Sequence, residues 1–411
     1  VSDSVVKPEL TLQNKRSSKI DSLLTHKYLG IPMFLAIMAL IFYLTFGLIG
    51  SYLSDLLAGG IDALGEFVVH FLEVNDVNAV VVSLVQNGIF AGVGSVLSFI
   101  PMIIVMFTFM SLLEDTGYMA RVAYMMDRVL RKIGLSGKSF VPLLLGFGCS
   151  VPAIMSTRTL SSDRDRKMTI FLTPFMSCTA KLPIYGVFAA ALFAKNRALV
   201  IISLYLLGIL ISILIGLIIK VFFYKGKPSP FILELPSYRF PHWKSVLQLI
   251  WERAKDFLTR AFTVIFVASL VIWFLQTFDY KLNPVADPNH SMLSAIGHVI
   301  APVFAPLGFG NWFSATSLIT GFMAKEAVIS TMAVLTGVSA AHVSGQLQTM
   351  FSPQTAYAFM VFCLLYTPCV AAISVVKREL GSGLAALGVV IGQTAVAWIV
   401  TFVVYHLLLL F

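Results

Sequence analysis

The chain has 411 residues, of which 58% are hydrophobic and 12% charged, with a formal net charge of +9. Soluble domains carry about 25% charged residues, so a globular interior would not hold this much apolar surface and the excess must face lipid. The positive charge does not point to nucleic acid, because Lys and Arg flank long apolar runs instead of gathering in one stripe.

Residues 1–28 are polar, carry Lys7, Lys15, Arg16, Lys19 and Lys27, and open at Val1 without a signal peptide. They read as a cytoplasmic linker from a preceding segment. Apolar runs follow at about 31–50, 88–113, 168–194, 198–222, 261–277, 354–376 and 384–411. Each is near or above the roughly 20 helical residues that span hydrocarbon. Charge asymmetry orients them. The basic linker puts the N-terminus in the cytoplasm, the acidic segment 51–87 lies outside, and Arg121, Arg128, Arg131, Lys132 and Lys138 mark a return to the inside. The chain divides into an N-terminal transmembrane region (29–113), a first unit (114–222), a cytoplasmic amphipathic segment with a linking span (223–277) and a second unit (278–411). The amphipathic helix is expected over Ser245–Thr259.

Two further apolar stretches, 140–157 and 312–336, have interrupted centres. The first is basic on both flanks, so a single crossing would leave one flank on the wrong side. Its centre, Gly146-Phe-Gly-Cys-Ser-Val-Pro152, cannot be regular helix throughout. A re-entrant hairpin satisfies both facts, and backbone broken at that depth implies a cavity or a binding site. The second stretch has no basic loop beside it and is expected to re-enter from outside. Each unit then holds a short helix (117–132 or 291–306), a hairpin and two spans. The single span 261–277 between them inverts the second unit relative to the first. The expected fold is an all-α polytopic membrane protein built on an inverted repeat.

Cys149 sits at the first hairpin's tip, where a thiol suits a borderline or soft metal; equally, a Cys in an apolar helix is a small hydrophobe. Cys178 lies between Pro174 and Pro183 with the thioether of Met176 close by, and Cys369 follows Pro368 in the equivalent span. Each proline removes a backbone hydrogen bond and frees a carbonyl. Taken singly these cysteines suit packing better than ligation, but three thiols at three distortions favour function. Cys363 has no break beside it and is assigned to packing. Lys181, Lys325 and Glu326 are ionisable groups within the membrane and should face a cavity or a partner. Lys325 and Glu326 fit a buried ion pair as well as a transport role, and Glu326 could take a cation directly. Glu114 and Asp115 end the run 88–113, where carboxylates could receive a departing divalent cation, although Asp115 fits a cap on the next helix better. Gly134–Ser139 imitates a P-loop but has Lys132 where the first glycine belongs. The seven histidines are scattered, and no hydrolase or metalloprotease signature is present.

Leu113-Glu-Asp-Thr-Gly-Tyr-Met-Ala-Arg121, Gly137-Lys-Ser-Phe-Val-Pro142, Gly146-Phe-Gly-Cys-Ser-Val-Pro-Ala153 and Phe175-Met-Ser-Cys-Thr-Ala-Lys-Leu-Pro183 resemble the membrane domain of FeoB ferrous-iron transporters. Gly321-Phe-Met-Ala-Lys-Glu326 and Thr367-Pro-Cys369 resemble its second gate region, and the resemblance covers about residues 29–411. It implies uptake of Fe²⁺ through the bacterial cytoplasmic membrane by two gate units similar to those of concentrative nucleoside transporters. It makes Cys149, Cys178 and Cys369 candidate iron-path residues, and Met176, Ser150, Glu326, Glu114 and Asp115 complete the candidate set. Ser150 stands where the family usually has Asn, and Lys181 where it often has Arg. The family also implies an N-terminal G domain, which these residues do not contain, and small accessory Feo proteins. No tightly bound cofactor and no enzymatic reaction are expected, and assembly as a homo-oligomer is left open. Two alternatives remain: an organic-solute carrier of the same fold, such as one for nucleosides, and a non-transporting membrane scaffold or sensor.

Overall fold

The computed structural model describes residues 29–222, 242–285, 290–336 and 343–410. The linker 1–28 and the basic stretch 223–241 lie outside the described residues. The first helix, α1 (Gly30–Val74), runs for 45 residues with a π-helical turn at Tyr43–Leu48. It continues well past the apolar run that ends near residue 50, because Leu, Ala and Glu keep the segment helical and its face packs on the returning chain. The Ser54 hydroxyl donates to the Ser98 carbonyl there. The short α2 (Ala79–Ser83) starts at Asn78, whose side chain accepts the Val80 N–H. A second π-helical turn, Leu84–Phe90, leads into α3 (Ala91–Asp115).

The chain bends by 80° between α3 and the amphipathic α4 (Tyr118–Ile133). α4 ends on Gly134 at φ +94°, in the left-handed region that glycine tolerates. Two short helices follow, α5 (Phe140–Leu145) and α6 (Ser150–Ser156), packed against each other. The run expected as one span at 168–194 is interrupted. It consists of α7 (Asp163–Leu172), tight turns at Thr173–Phe175 and Thr179–Lys181, and α8 (Leu182–Leu192). Pro174 supplies no N–H to a continuous ladder, and Pro183 stands in the first turn of α8, where a missing N–H costs no helical bond. The straight α9 (Arg197–Phe222) closes this part.

The amphipathic helix expected at 245–259 and the span at 261–277 are one continuous helix, α10 (Trp243–Thr277). Neither Gly nor Pro occurs in it to break the ladder. After a turn closed by a bridge between Phe278 and Pro284, α11 (Met292–Phe304) and the turn Ala305–Leu307 end on Gly308 at φ +85°. The chain bends by 103° into α12 (Trp312–Met323), which breaks and resumes as α13 (Ala327–Thr336). A helix the sequence patterns did not reveal, α14 (Val343–Met350), precedes α15 (Pro353–Leu365), α16 (Val370–Leu380) and α17 (Gly383–Leu408). Side chains of Ser291, Asn311, Ser352 and Ser382 cap α11, α12, α15 and α17, each accepting an N–H three residues on.

Among the described residues, five helices are long and apolar enough to cross a membrane, or up to seven if each bent pair counts as one span. No β-sheet occurs among the described residues. The protein is therefore an all-helical, multi-pass membrane protein. Its centre is the α15–α16 segment, whose apolar window is 78% buried inside the protein, against 22% for α9 and α17. The outer faces of α9 and α17 expose Leu206, Leu210, Leu387 and Ile391, a surface suited to acyl chains. Aromatic rings of Phe188, Phe309, Phe359 and Phe362 interlock at the core.

Candidate metal-conducting site

Four interruptions in the helices meet at one place. α5 ends at Leu145, and Gly146–Cys149 form a tight turn whose N–H groups still bond back to Pro142, Leu144 and Leu145 before α6 starts at Ser150. Cys149 is extended, at φ −151° and ψ 132°. Between α7 and α8 the backbone is extended at Met176 and again at Cys178. α12 ends at the extended Ala324, and α15 gives way at Tyr366 until α16 starts after Cys369. Residues of all four breaks line a cavity of about 120 Å³, among them Cys149, Ser150, Cys178, Glu326 and Cys369.

The three thiols occupy equivalent local positions. Cys149, Cys178 and Cys369 each stand immediately before a helical turn, in extended backbone, with no capping bond from the side chain. All three cysteines line the hollow. Cys363 is fully buried within α15 and belongs to the core. Among the described residues no three His, Cys, Asp or Glu side chains come together as a closed metal cage. The thiols share a cavity without forming such a cage.

The breaks are held by their own freed carbonyls. The Lys181 ammonium is buried, with 2% of its surface exposed. It donates to the carbonyls of Pro174 at 3.1 Å, Met176 at 3.3 Å and Leu364 at 2.6 Å, tying the α7–α8 break to the end of α15. Thr179 donates to the Gly148 carbonyl through both its N–H and its hydroxyl, at 3.2 and 3.0 Å, joining the first tip to the second break. Lys325 donates to the Thr367 carbonyl at 2.8 Å and lies 3.0 Å from the Tyr366 ring centroid. No ion pair joins Lys325 to Glu326, so the lysine holds the α15–α16 break and the carboxylate lines the cavity. Close approach at Gly321 completes the second tip: a Cβ there would collide with Val328 and stand 2.6 Å from the Tyr366 hydroxyl.

The remaining candidates lie elsewhere. The Met176 side chain is packed in the main core, and only its carbonyl takes part, through Lys181. Glu114 lines a larger hollow of about 750 Å³ beside α4, α6 and α10. Asp115 does not cap α4, whose N-cap position is Gly117; its carboxylate accepts the His242 N–H at 2.9 Å and so fixes the start of α10. Sequence reasoning missed Phe46, Met102 and Met106, which also line the thiol cavity. Phe46 sits in the π-helical turn of α1, a local feature that composition does not reveal.

A family model described as nucleoside recognition, Gate, matches residues 96–192 and 258–383, together more than half of the chain. A second, described as the C terminus of ferrous iron transport protein B, matches residues 201–253. The Fe(2+) transporter FeoB of Staphylococcus aureus (strain MSSA476) is 43% identical over 393 residues, covering 95% of this chain and 59% of that protein. A Porphyromonas gingivalis Fe(2+) transport protein A/Fe(2+) transporter FeoB fusion protein is 37% identical over 96% of this chain and 52% of its own length. The Fe(2+) transporter FeoB of Methanocaldococcus jannaschii is 37% identical over 93% of this chain and 58% of its own. The chain thus spans less than two thirds of each of these relatives, and no solved structure matches it. Agreement of two family models with near-complete alignment to these transporters assigns the kinship: the chain belongs to the FeoB family.

Proposed function

We propose that this chain conducts Fe²⁺ across the bacterial cytoplasmic membrane into the cell, with its N-terminus in the cytoplasm. The observation that carries the reading is the convergence of four helix breaks, with three thiols, on one cavity. An arriving Fe²⁺ exchanges water for sulfur and carbonyl donors, a set that suits a borderline transition metal better than Na⁺ or Mg²⁺. Ligating thiols give up their protons as the ion enters, and Glu326 offsets part of its charge. The bilayer and Fe²⁺ are the immediate partners, and a G domain and small accessory Feo proteins act on the gate from the cytoplasm. The fusion of a transport protein A to a relative of this chain supports the accessory partner.

The gate is an inverted repeat resembling the concentrative nucleoside transporters. Element order supports it: a short helix ending on a left-handed glycine (Gly134, Gly308), a broken helical pair, an interrupted span and a straight span of 26 residues. α10 is the odd separator. The family model's two stretches overlap both units, while also taking in parts of α3 and α10 and stopping short of α9 and of α17 beyond its first residue. Within them, 140–157 and 312–336 act as hairpins dipping into the membrane from opposite sides.

The cargo of nucleoside carriers is a poor fit. Ordinary small-molecule pockets hold roughly 300 Å³ or more, whereas this cavity has about 120 Å³; among the described residues, Glu326 is the one carboxylate in a lining that has three thiols and no Asn or Gln. The deciding experiment is Fe²⁺ flux through the purified full-length protein in proteoliposomes, with Cys149→Ser, Cys178→Ser and Cys369→Ser beside wild type. Metal flux that falls in the serine variants supports the reading. Wild-type protein that carries no metal would leave the scaffold or sensor alternative standing, and serine variants that all carry Fe²⁺ normally would remove the thiols from the path.

A further inference from the structure

The thiol cavity and the larger hollow share a wall residue, Met106. Met106 is the middle member of a series on α3, Met102, Met106 and Met110, that repeats every four residues and ends one turn on at Glu114. Met102 and Met106 line the thiol cavity, while Met106, Met110 and Glu114 line the larger hollow. Each four-residue step rises about 6 Å and turns about 40° around the helix, so the three methionines cover about 12 Å of a gently winding path. The Met106 sulfur lies 3.2 Å from where a Cβ on Gly148 would stand, beside the tip that carries Cys149. Met106, Met110 and Met119 form one buried cluster against which Cys149 packs. Ile103 and Phe107, one residue on from Met102 and Met106, pack in the cluster around α16 and add hydrocarbon to the walls of the thiol cavity and the larger hollow respectively. The methionine sulfurs are the donor atoms that α3 offers between the two hollows.

We propose that Met102, Met106 and Met110 form a thioether relay that passes a soft or borderline transition-metal cation from the thiol cavity to the larger hollow. The proposal rests on the transport reading above and adds the exit route. A neutral thioether offers a polarizable donor with no charge to trap the ion. That is the property needed between a thiol site, which selects the metal, and the larger hollow, where Glu114 and Glu252 stand beside Lys138, Arg158 and Lys255. Leucine at the same positions would pack equally well but offer no donor, so three consecutive methionines on the hollow-facing side are what the chemistry requires. Met119 and Met155 line the larger hollow and widen the relay's lower end.

The test is Fe²⁺ flux, and Fe²⁺ against Mn²⁺ preference, of the full-length protein in anaerobic proteoliposomes. Wild type, Cys149→Ser, Met106→Leu, Met110→Leu and Met106→Cys are compared, each with its unfolding midpoint. Leucine conserves volume and is well tolerated in a packed site. The relay requires both leucine variants to lose about tenfold of Fe²⁺ flux, the scale at which metal-site substitutions act. They must also lose preference over the harder Mn²⁺ while the midpoint holds, and Met106→Cys must restore both by returning a sulfur. Leucine variants that carry Fe²⁺ like wild type overturn the relay. A cysteine variant as impaired as the leucine one, with the fold intact, also overturns it, because the residue would then act by shape alone. If wild type carries no Fe²⁺ the transport reading itself fails, whereas normal wild-type flux with unaffected leucine variants removes only the relay.

Discussion

Replacing Lys181 with Met removes one ammonium from the centre of the site and leaves three buried carbonyls, those of Pro174, Met176 and Leu364, without their donor. Hydrogen bonds from a charged donor contribute about 1.5–3 kcal/mol each, so the three together represent roughly 5–9 kcal/mol. The variant no longer buries an ammonium, which returns several kcal/mol. The net destabilisation is about 3 kcal/mol. Unfolding entropy of roughly 2.1 cal/mol/K per residue over 411 residues converts this into a midpoint shift of about 3–4 °C. Thermal unfolding of the detergent-purified protein reads the shift directly. Lys181→Arg, which keeps charge and adds donors, should recover most of it. Lys181→Met as stable as wild type, or Lys181→Arg as unstable as Lys181→Met, would refute the view that the lysine holds the freed carbonyls of the two broken spans.

Two further perturbations test the scaffold around the cavity. Gly321→Val forces α12 away from Val328 of α13 and from Tyr366; overpacking of this kind costs about 1–3 kcal/mol, and both the unfolding midpoint and metal flux should fall, while an unchanged midpoint would mean the second tip is loosely packed. Arg158 reaches the buried Glu379 through Nε at 2.7 Å and Nη2 at 2.6 Å, tying the end of the first broken pair to the end of α16. The Arg side chain is 40% exposed and the pair is screened accordingly; Glu379→Gln should cost about 1 kcal/mol, measured as a midpoint shift that shrinks in high salt, and a salt-independent loss would locate the effect in packing.

Much of this architecture follows from single residues and their neighbours. Pro174 and Pro368 lack an N–H, and Gly146 and Gly148 tolerate tight turns, so the interruptions in 140–157, 168–194 and 354–376 fall where the string of residues demands them. The continuity of α10 across the expected join near 260 was less legible, because a change from amphipathic to apolar pattern looks like a boundary although nothing in the backbone chemistry ends the helix. The far end of α1 hid for the same reason: acidic residues mark a loss of lipid contact, not a loss of helix.

The sequence by itself determined that the chain lives in a membrane, where its helices break, and which residues with sulfur or charge stand at those breaks. Each of these is a local property, set by hydrocarbon thickness, by missing N–H groups and by side-chain chemistry. Only the tertiary structure decided which donors share a space. It brought Cys149, Cys178, Cys369 and Glu326 to one cavity, turned the Met176 side chain into the core, gave Asp115 to the start of α10 and set Met106 between two hollows. The physical reason is that convergence depends on how separately formed helices pack. That packing is fixed by contacts between residues far apart in the chain, such as Lys181 with Leu364 and Thr179 with Gly148, which no local pattern encodes.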